Sequence, residues 1–183
     1  WSRAELNLLM ALIHYVVNLR DANGNLLPIE QRGLGDVYRM IATESIEEIN
    51  RRLAALPPEH PAKYPHGLFL KAKENLWGNI VIGLGNRLAV FQSRLVDKIT
   101  RNHDVDLLLP GKRPCVYFVI ISAQDSAYRF LSSLFFSLAL PQLSNFARLQ
   151  CAGGRLPVLT NFCLDEYCNI GYLDGVADSL NSI

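Results

Sequence analysis

The sequence predicts a mainly α fold in two parts: an all-α helical domain over residues 1–110 and a small βαβ unit, with a parallel strand pair, over 111–183. Three observations carry this. Apolar residues recur at helical spacing from the start of the chain to about residue 101. At "CVYFVIIS", residues 115–122, the pattern changes to a continuous β-branched and aromatic run, as for a strand covered on both faces. A second apolar run, "LPVLTNFCL" at 156–164, follows one long helix later, the spacing of a right-handed crossover.

Residues 2–19, "SRAELNLLMALIHYVVNL", form the first helix, which stops at the turn "DANGN", 21–25. A second helix spans about 35–43. Ser45 and Glu48 form a capping box that starts a third helix through "IEEINRRLAAL", and Pro57 with Pro58 ends it. "PPEHPAKYPHG" reads as a loop. Residues 68–91 read as one helix, whose Gly78, Gly83 and Gly85 let a neighbouring helix come close. The Gly-Leu-Gly inside it is not a phosphate loop, because no strand precedes it and no Gly-Lys-Ser/Thr follows. Beyond the first strand, a long helix covers about 126–149, opened by Asp125 or Ser126 and kinked at Pro141. "AGGRLP" then turns the chain into the second strand.

Half of the 183 residues are hydrophobic, ample for the core of one domain or of one domain with part of another. Eighteen basic residues against seventeen acidic ones leave a net charge of +1, so no global field draws the chain to nucleic acid or a membrane; any such contact is local. The longest uninterrupted apolar run, "VYFVII" at 116–121, is far short of the roughly 20 residues that cross a bilayer, and no membrane segment or signal peptide is expected. The chain opens on Trp1 directly in a helical pattern, as a piece of a longer protein would. Cys115, Cys151, Cys163 and Cys168 form no CxxC pair; two of them lie in or beside the apolar strands and read as small buried hydrophobes in a reducing cytoplasm. His14, His60, His66 and His103 lack any zinc-ligand spacing, and His14 reads as a core or boundary residue. No Ser/His/Asp or Cys/His nucleophile signature is visible.

The second apolar run ends in Asp165 and Glu166. An unpaired charge inside a sheet costs several kcal/mol, so acids belong at the end of such a run, which in α/β sheets is where ligands bind. One chemistry suits adjacent acids there: Asp165 holds Mg²⁺ beside a nucleoside triphosphate while Glu166 orients the attacking water. A strand that simply ends in a polar turn gives the same pattern. Ser122, Gln124 and Asp125 fall at the equivalent end of the first strand, as groups sensing the γ-phosphate or as helix caps. Candidates for macromolecular recognition are Arg51 with Arg52, the group Arg94, Lys98 and Arg101, and Lys112 with Arg113, each also readable as a solvated face.

Four segments in order, "WSRAELNLLMALIHYV", "NIVIGLGNRLAVF", "VYFVIISAQDSAYRFLSSLFFS" and "GGRLPVLTNFCLDEYCNIG", resemble the TraG/TraD-type coupling proteins of conjugative type IV secretion. The last is the most specific, since that family typically carries a GGRLPV-like lead into an LDEFANIG-like Walker B. Here Tyr167 and Cys168 stand in place of Phe and Ala, and "YLDGVADSLNSI" after Gly171 lacks the family's continuation around a Pro-Asp-Phe. The resemblance implies a homo-hexameric RecA-like P-loop ATPase that passes relaxase-bound DNA to the secretion channel. It would sit at the cytoplasmic face of the bacterial inner membrane, anchored by segments outside these residues. The helical region resembles the all-α domain inserted between Walker A and Walker B, and the βαβ unit resembles part of the RecA-like domain. By the same resemblance Glu166 is catalytic and Asp165 is the Mg²⁺ partner at the nucleotide; Gln124 and Asp125 are the nucleotide-facing candidates by their place at the end of the first strand. ATP and Mg²⁺ are the implied cofactors of the full-length protein; relaxase and relaxosome proteins, DNA and type IV secretion channel proteins are the implied partners. No GxxxxGK[ST] occurs in the chain, so no tightly bound cofactor and no hydrolysis by these residues alone are expected. The alternative class is a non-enzymatic helical interaction module whose strand only mimics Walker B.

Overall fold

A computed structural model describes residues 2–102, 104–121, 129–165 and 170. It divides into two units, 1–103 and 104–183. In the first, helices α1 (Arg3–Val17), α2 (Leu34–Thr43), α3 (Ile46–Ala54), α4 (Lys63–Phe69), α5 (Glu74–Arg87) and α6 (Arg94–Ile99) are joined by loops that include 3₁₀ turns at Ile29–Gln31 and Ala89–Gln92. Helix α1 is the pillar, with α2, α4 and α5 packed against it. Its buried residues Leu8, Ala11, Leu12 and Val16 recur every three or four positions, which gathers them on one face. Val37 and Ile41 of α2, Ile49 and Leu53 of α3, Phe69 of α4, Leu84 of α5 and Val96 of α6 complete the core. Burying each of the larger aliphatic side chains contributes about 1.5–3 kcal/mol.

Local chemistry sets the helix starts. Glu5 N donates to Ser2 Oγ at 3.2 Å, and Ser2 N donates to Glu5 Oε2 at 2.8 Å, a complete capping box at the head of α1. Ser45 caps α3 by accepting from Glu48 N at 3.2 Å, but the reciprocal half of the predicted box is not made. The Glu48 carboxylate turns instead to Arg51 and Arg52, whose charged donors outcompete a neutral amide.

The single helix expected over 68–91 is two helices. Part of the expected loop is helical: α4 starts at Lys63 and accommodates Pro65 as its third residue, where a missing N–H is harmless because the first four donors of a helix have no partner within it. The chain then turns at 70–73, where Trp77 Nε1 donates to Ala72 O at 3.1 Å and the Trp77 ring meets Phe69 with centroids 5.6 Å apart. Of the three glycines read as close-approach positions, only Gly83 leaves no room for a Cβ, while Gly85 would make an ordinary contact and Gly78 none. A Cβ on Gly83 would lie 2.3 Å from Glu5 Oε1 and one on Gly85 3.6 Å from Ile41, whereas Gly78 has nothing within 4 Å.

The second unit holds α7 (Leu109–Lys112), α8 (Arg129–Gln150) and a 3₁₀ turn at Ala152–Gly154. Helix α8 continues through Pro141 and buries Ser132, Phe136, Ala139, Leu140 and Leu143. The predicted N-cap at Asp125 or Ser126 lies outside the described residues. Phe136 and Leu140 form a cluster with Ile170, against which Ile121, Phe135, Phe162 and Leu164 pack. Gly153 (φ 68°) and Gly154 (φ 69°) adopt the left-handed conformation that turns the chain out of α8, as "AGGRLP" predicts.

The fold is mainly helical, but no paired strands occur among the described residues, in contrast to the expected βαβ unit. The runs 115–121 and 156–164 lack a ladder, and the only β-bridge among the described residues is antiparallel, Arg20 with Leu26. The cause is one-sided cover. Both runs lay residues on α8, through Ile121 and through Phe162 and Leu164, while Phe118 and Ile120 face outward, Ile120 at 95% exposure. A run written for two covered faces has neither a second layer nor edge partners among the described residues. For the same reason Cys115 and Cys163 are exposed thiols rather than the buried hydrophobes expected.

Helix α8 is also the one described helix long and apolar enough, by length and composition, to cross a membrane: 22 residues, with a mean hydropathy of 1.2 over an 18-residue window. A search for uninterrupted apolar runs misses it because Ser, Pro and Gln punctuate the helix.

Candidate functional site

The run into Asp165 has a two-residue rhythm. Leu156, Val158, Thr160, Phe162 and Leu164 are partly covered, whereas Pro157, Leu159, Asn161, Cys163 and Asp165 are exposed. Leu164 anchors the end of the run on the α8 cluster, which leaves the next side chain, Asp165, in solvent. Exposure spares the carboxylate the cost of desolvation and leaves its oxygens open to a ligand.

Asp165 also lines a groove of about 1070 Å³ whose walls include Phe118, Ile120, Phe136, Leu143 and Phe162. No Lys, Arg or His belongs to its described lining. One exposed carboxylate suits Mg²⁺, which takes one or two protein carboxylates and fills its shell with water and phosphate oxygens. The described lining supplies no cation for the phosphates themselves. Among the described residues no group of three or more His, Cys, Asp or Glu side chains is placed to hold a metal by itself. Glu166, Ser122, Gln124 and Asp125 lie outside the described residues.

The cations singled out for recognition separate into two sets. Arg51 pairs with Glu48, and Arg52 Nε lies 3.2 Å from Glu48 Oε1 and 3.4 Å from Glu44 Oε2. The hydrogen bonds from Arg52 and then Arg51 hold the Glu48 carboxyl below its usual range. Arg101 donates to Asp97 at 2.7 Å and to the Glu30 carbonyl. Lys112 Nζ lies 3.5 Å from Asp106 and 5.6 Å from the centroid of the Phe146 ring. These four are neutralised locally. Arg94, Lys98 and Arg113 are exposed and make no ion pair among the described residues.

Two polar centres were not read from the sequence. Asp97 accepts from Arg39 Nη1 at 3.0 Å and from Arg101 Nη2 at 2.7 Å, tying α6 to α2. Partial burial pushes its carboxyl up, but the two guanidinium groups outweigh this and hold it below the usual carboxylate value. His66 is buried on α4 with Nε2 3.0 Å from Asn50 Oδ1, and burial, followed by nearby Lys63, lowers its pKa. His60 is lowered too, by burial and then by His14 and Lys63. The i,i+4 spacing of Asp97 and Arg101 was available as a signal; nothing local marks His66 as buried.

Compared with known proteins, the chain matches, over residues 1–183, the family described as type IV secretory system conjugative DNA transfer. No curated protein and no solved structure matches it.

Proposed function

The chain belongs to the type IV secretory system conjugative DNA-transfer family, as a TraG/TraD-type coupling protein, and from that premise we propose that it is part of the ATP-driven motor that hands relaxase-bound DNA to the secretion channel. The observation that supports this most directly is the place of Asp165: an exposed acid immediately after an apolar run anchored on α8, followed in sequence by Glu166. Asp165 would hold Mg²⁺ at the bound nucleotide, and Mg²⁺ would offset charge on the phosphates. Glu166 would accept a hydrogen bond from the attacking water and orient it, with Gln124 and Asp125 near the γ-phosphate. A Walker A sequence, absent from these 183 residues, would have to supply the phosphate cradle. The runs 115–121 and 156–164 would be strands of the RecA-like sheet once its neighbours cover their outer faces. The helical unit would recognise the cargo, through relaxosome protein or DNA, and the whole would act as a hexamer at the cytoplasmic face of the membrane.

The test is Glu166→Gln in the complete protein. Mg·ATP binding is expected to survive and hydrolysis to fall by about two orders of magnitude or more, with DNA transfer lost alongside it. Wild-type ATPase activity in this variant would overturn the assignment.

A further inference from the structure

Arg94 and Lys98 stand four residues apart on α6, opposite the buried Val96, and Leu95 and Ile99 repeat that spacing one position on, so the two aliphatics form a strip on the flank between the cations and the buried side. Leu95 is 59% exposed and Ile99 52%. Asp97, the one acid of α6, is already engaged by Arg39 and Arg101, and Asp36 of α2 by Arg39. Neither Arg94 nor Lys98 makes an ion pair among the described residues, so the face presents two unneutralised cations beside two aliphatic side chains. An isolated exposed leucine calls for no explanation. Two aliphatics and two cations in matching i,i+4 register make a coherent surface.

We propose that this face of α6 docks an acidic amphipathic helix of a protein partner. Leu95 and Ile99 pack against the partner's apolar ridge, while Arg94 and Lys98 meet carboxylates spaced four residues apart on it. The proposal rests on the helical unit being the recognition part of a transfer motor and names the chemistry it recognises. Duplex DNA fits less well. Its phosphates would take the cations, but the backbone offers no apolar surface for Leu95 and Ile99. Four side chains form a small contact, so the complex belongs with transient ones, steered by charge and weakened by salt.

The probe is a fluorescein-labelled, alanine-based helical peptide bearing Leu and Glu at four-residue spacing, titrated into the 183-residue chain by anisotropy at low salt, with a labelled DNA duplex in parallel. Arg94→Glu with Lys98→Glu is expected to weaken peptide binding about tenfold or more, and Leu95→Ser with Ile99→Ser by about fivefold, while far-UV circular dichroism stays unchanged. The serine pair should leave duplex binding as it was. The proposal is overturned if the peptide does not bind, if binding ignores the serine pair, or if only the duplex binds and only charge reversal weakens it, which would make α6 a DNA contact. Failure here, together with loss of hydrolysis in Glu166→Gln, removes the docking site and leaves the motor reading standing.

Discussion

His66 Nε2 lies 3.0 Å from Asn50 Oδ1, joining α4 to α3 at a point where the histidine is 3% exposed. With Oδ1 as acceptor, Nε2 carries the hydrogen, and the ring also stacks on Phe69 with centroids 6.4 Å apart. A protonated imidazole would have to keep its charge out of water and close to Lys63.

The sign of the pH dependence follows. Burial, then Lys63, lowers the pKa of His66 in the folded chain below its ordinary value, so between the two values the unfolded chain binds more protons. Stability is therefore full above about pH 6.5 and declines as the pH falls below it. Urea denaturation at neutral pH and near pH 5.5 should show the loss, and His66→Gln, which keeps a donor for Asn50, should show less of it. Some dependence will remain, because His60 is shifted in the same direction. A slope unchanged by His66→Gln would remove His66 as its source.

Asp97 responds at lower pH. Its folded carboxyl is held below the ordinary value despite partial burial, so its contribution is complete above about pH 4 and is lost as the pH falls through the folded value. Asp97→Ala should cost about 1–3 kcal/mol near neutrality, since it leaves Arg39 and Arg101 without their shared acceptor, and the gap to wild type should narrow on acidification. Chemical denaturation of both proteins across that range checks this.

Two glycines of α5 should answer alanine substitution differently. Gly78→Ala places a methyl in open space inside a helix and should stabilise by about 0.5–1 kcal/mol. Gly83→Ala must displace Glu5 Oε1, 2.3 Å from the new Cβ, and so disturb the capping box at Ser2. It should show no gain or a net loss in thermal unfolding.

Hydrogen exchange checks the unpaired runs. Amides at 116–120 and 159–163 make no backbone hydrogen bond among the described residues and should exchange far faster than those of α1 at 8–16. Brief alkylation should label Cys115 and Cys163 ahead of the half-covered Cys151. Strong protection of both runs in the isolated chain would contradict their exposure.

The sequence by itself determined what depends on neighbours in the chain. The apolar rhythm of α1, the start of α3 at Ser45, the turn at Gly153 and Gly154 and the spacing of Arg52 four residues after Glu48 all follow from the geometry of one helix or one turn. The motif ending in Asp165 and Glu166 was equally legible, and the family match over 1–183 agrees with what it resembled. Tertiary structure decided the rest. Arg39 meets Asp97 across 58 residues of sequence, a pairing no local pattern encodes. The break between α4 and α5 depends on Trp77 folding back onto Phe69 and Ala72, a packing choice that helical periodicity does not record. The runs at 115 and 156 carry strand-like composition, yet a strand exists only where a second backbone satisfies its amides and a second layer covers its outer face. Composition states what a segment can bury, and only the assembled neighbours supply what buries it.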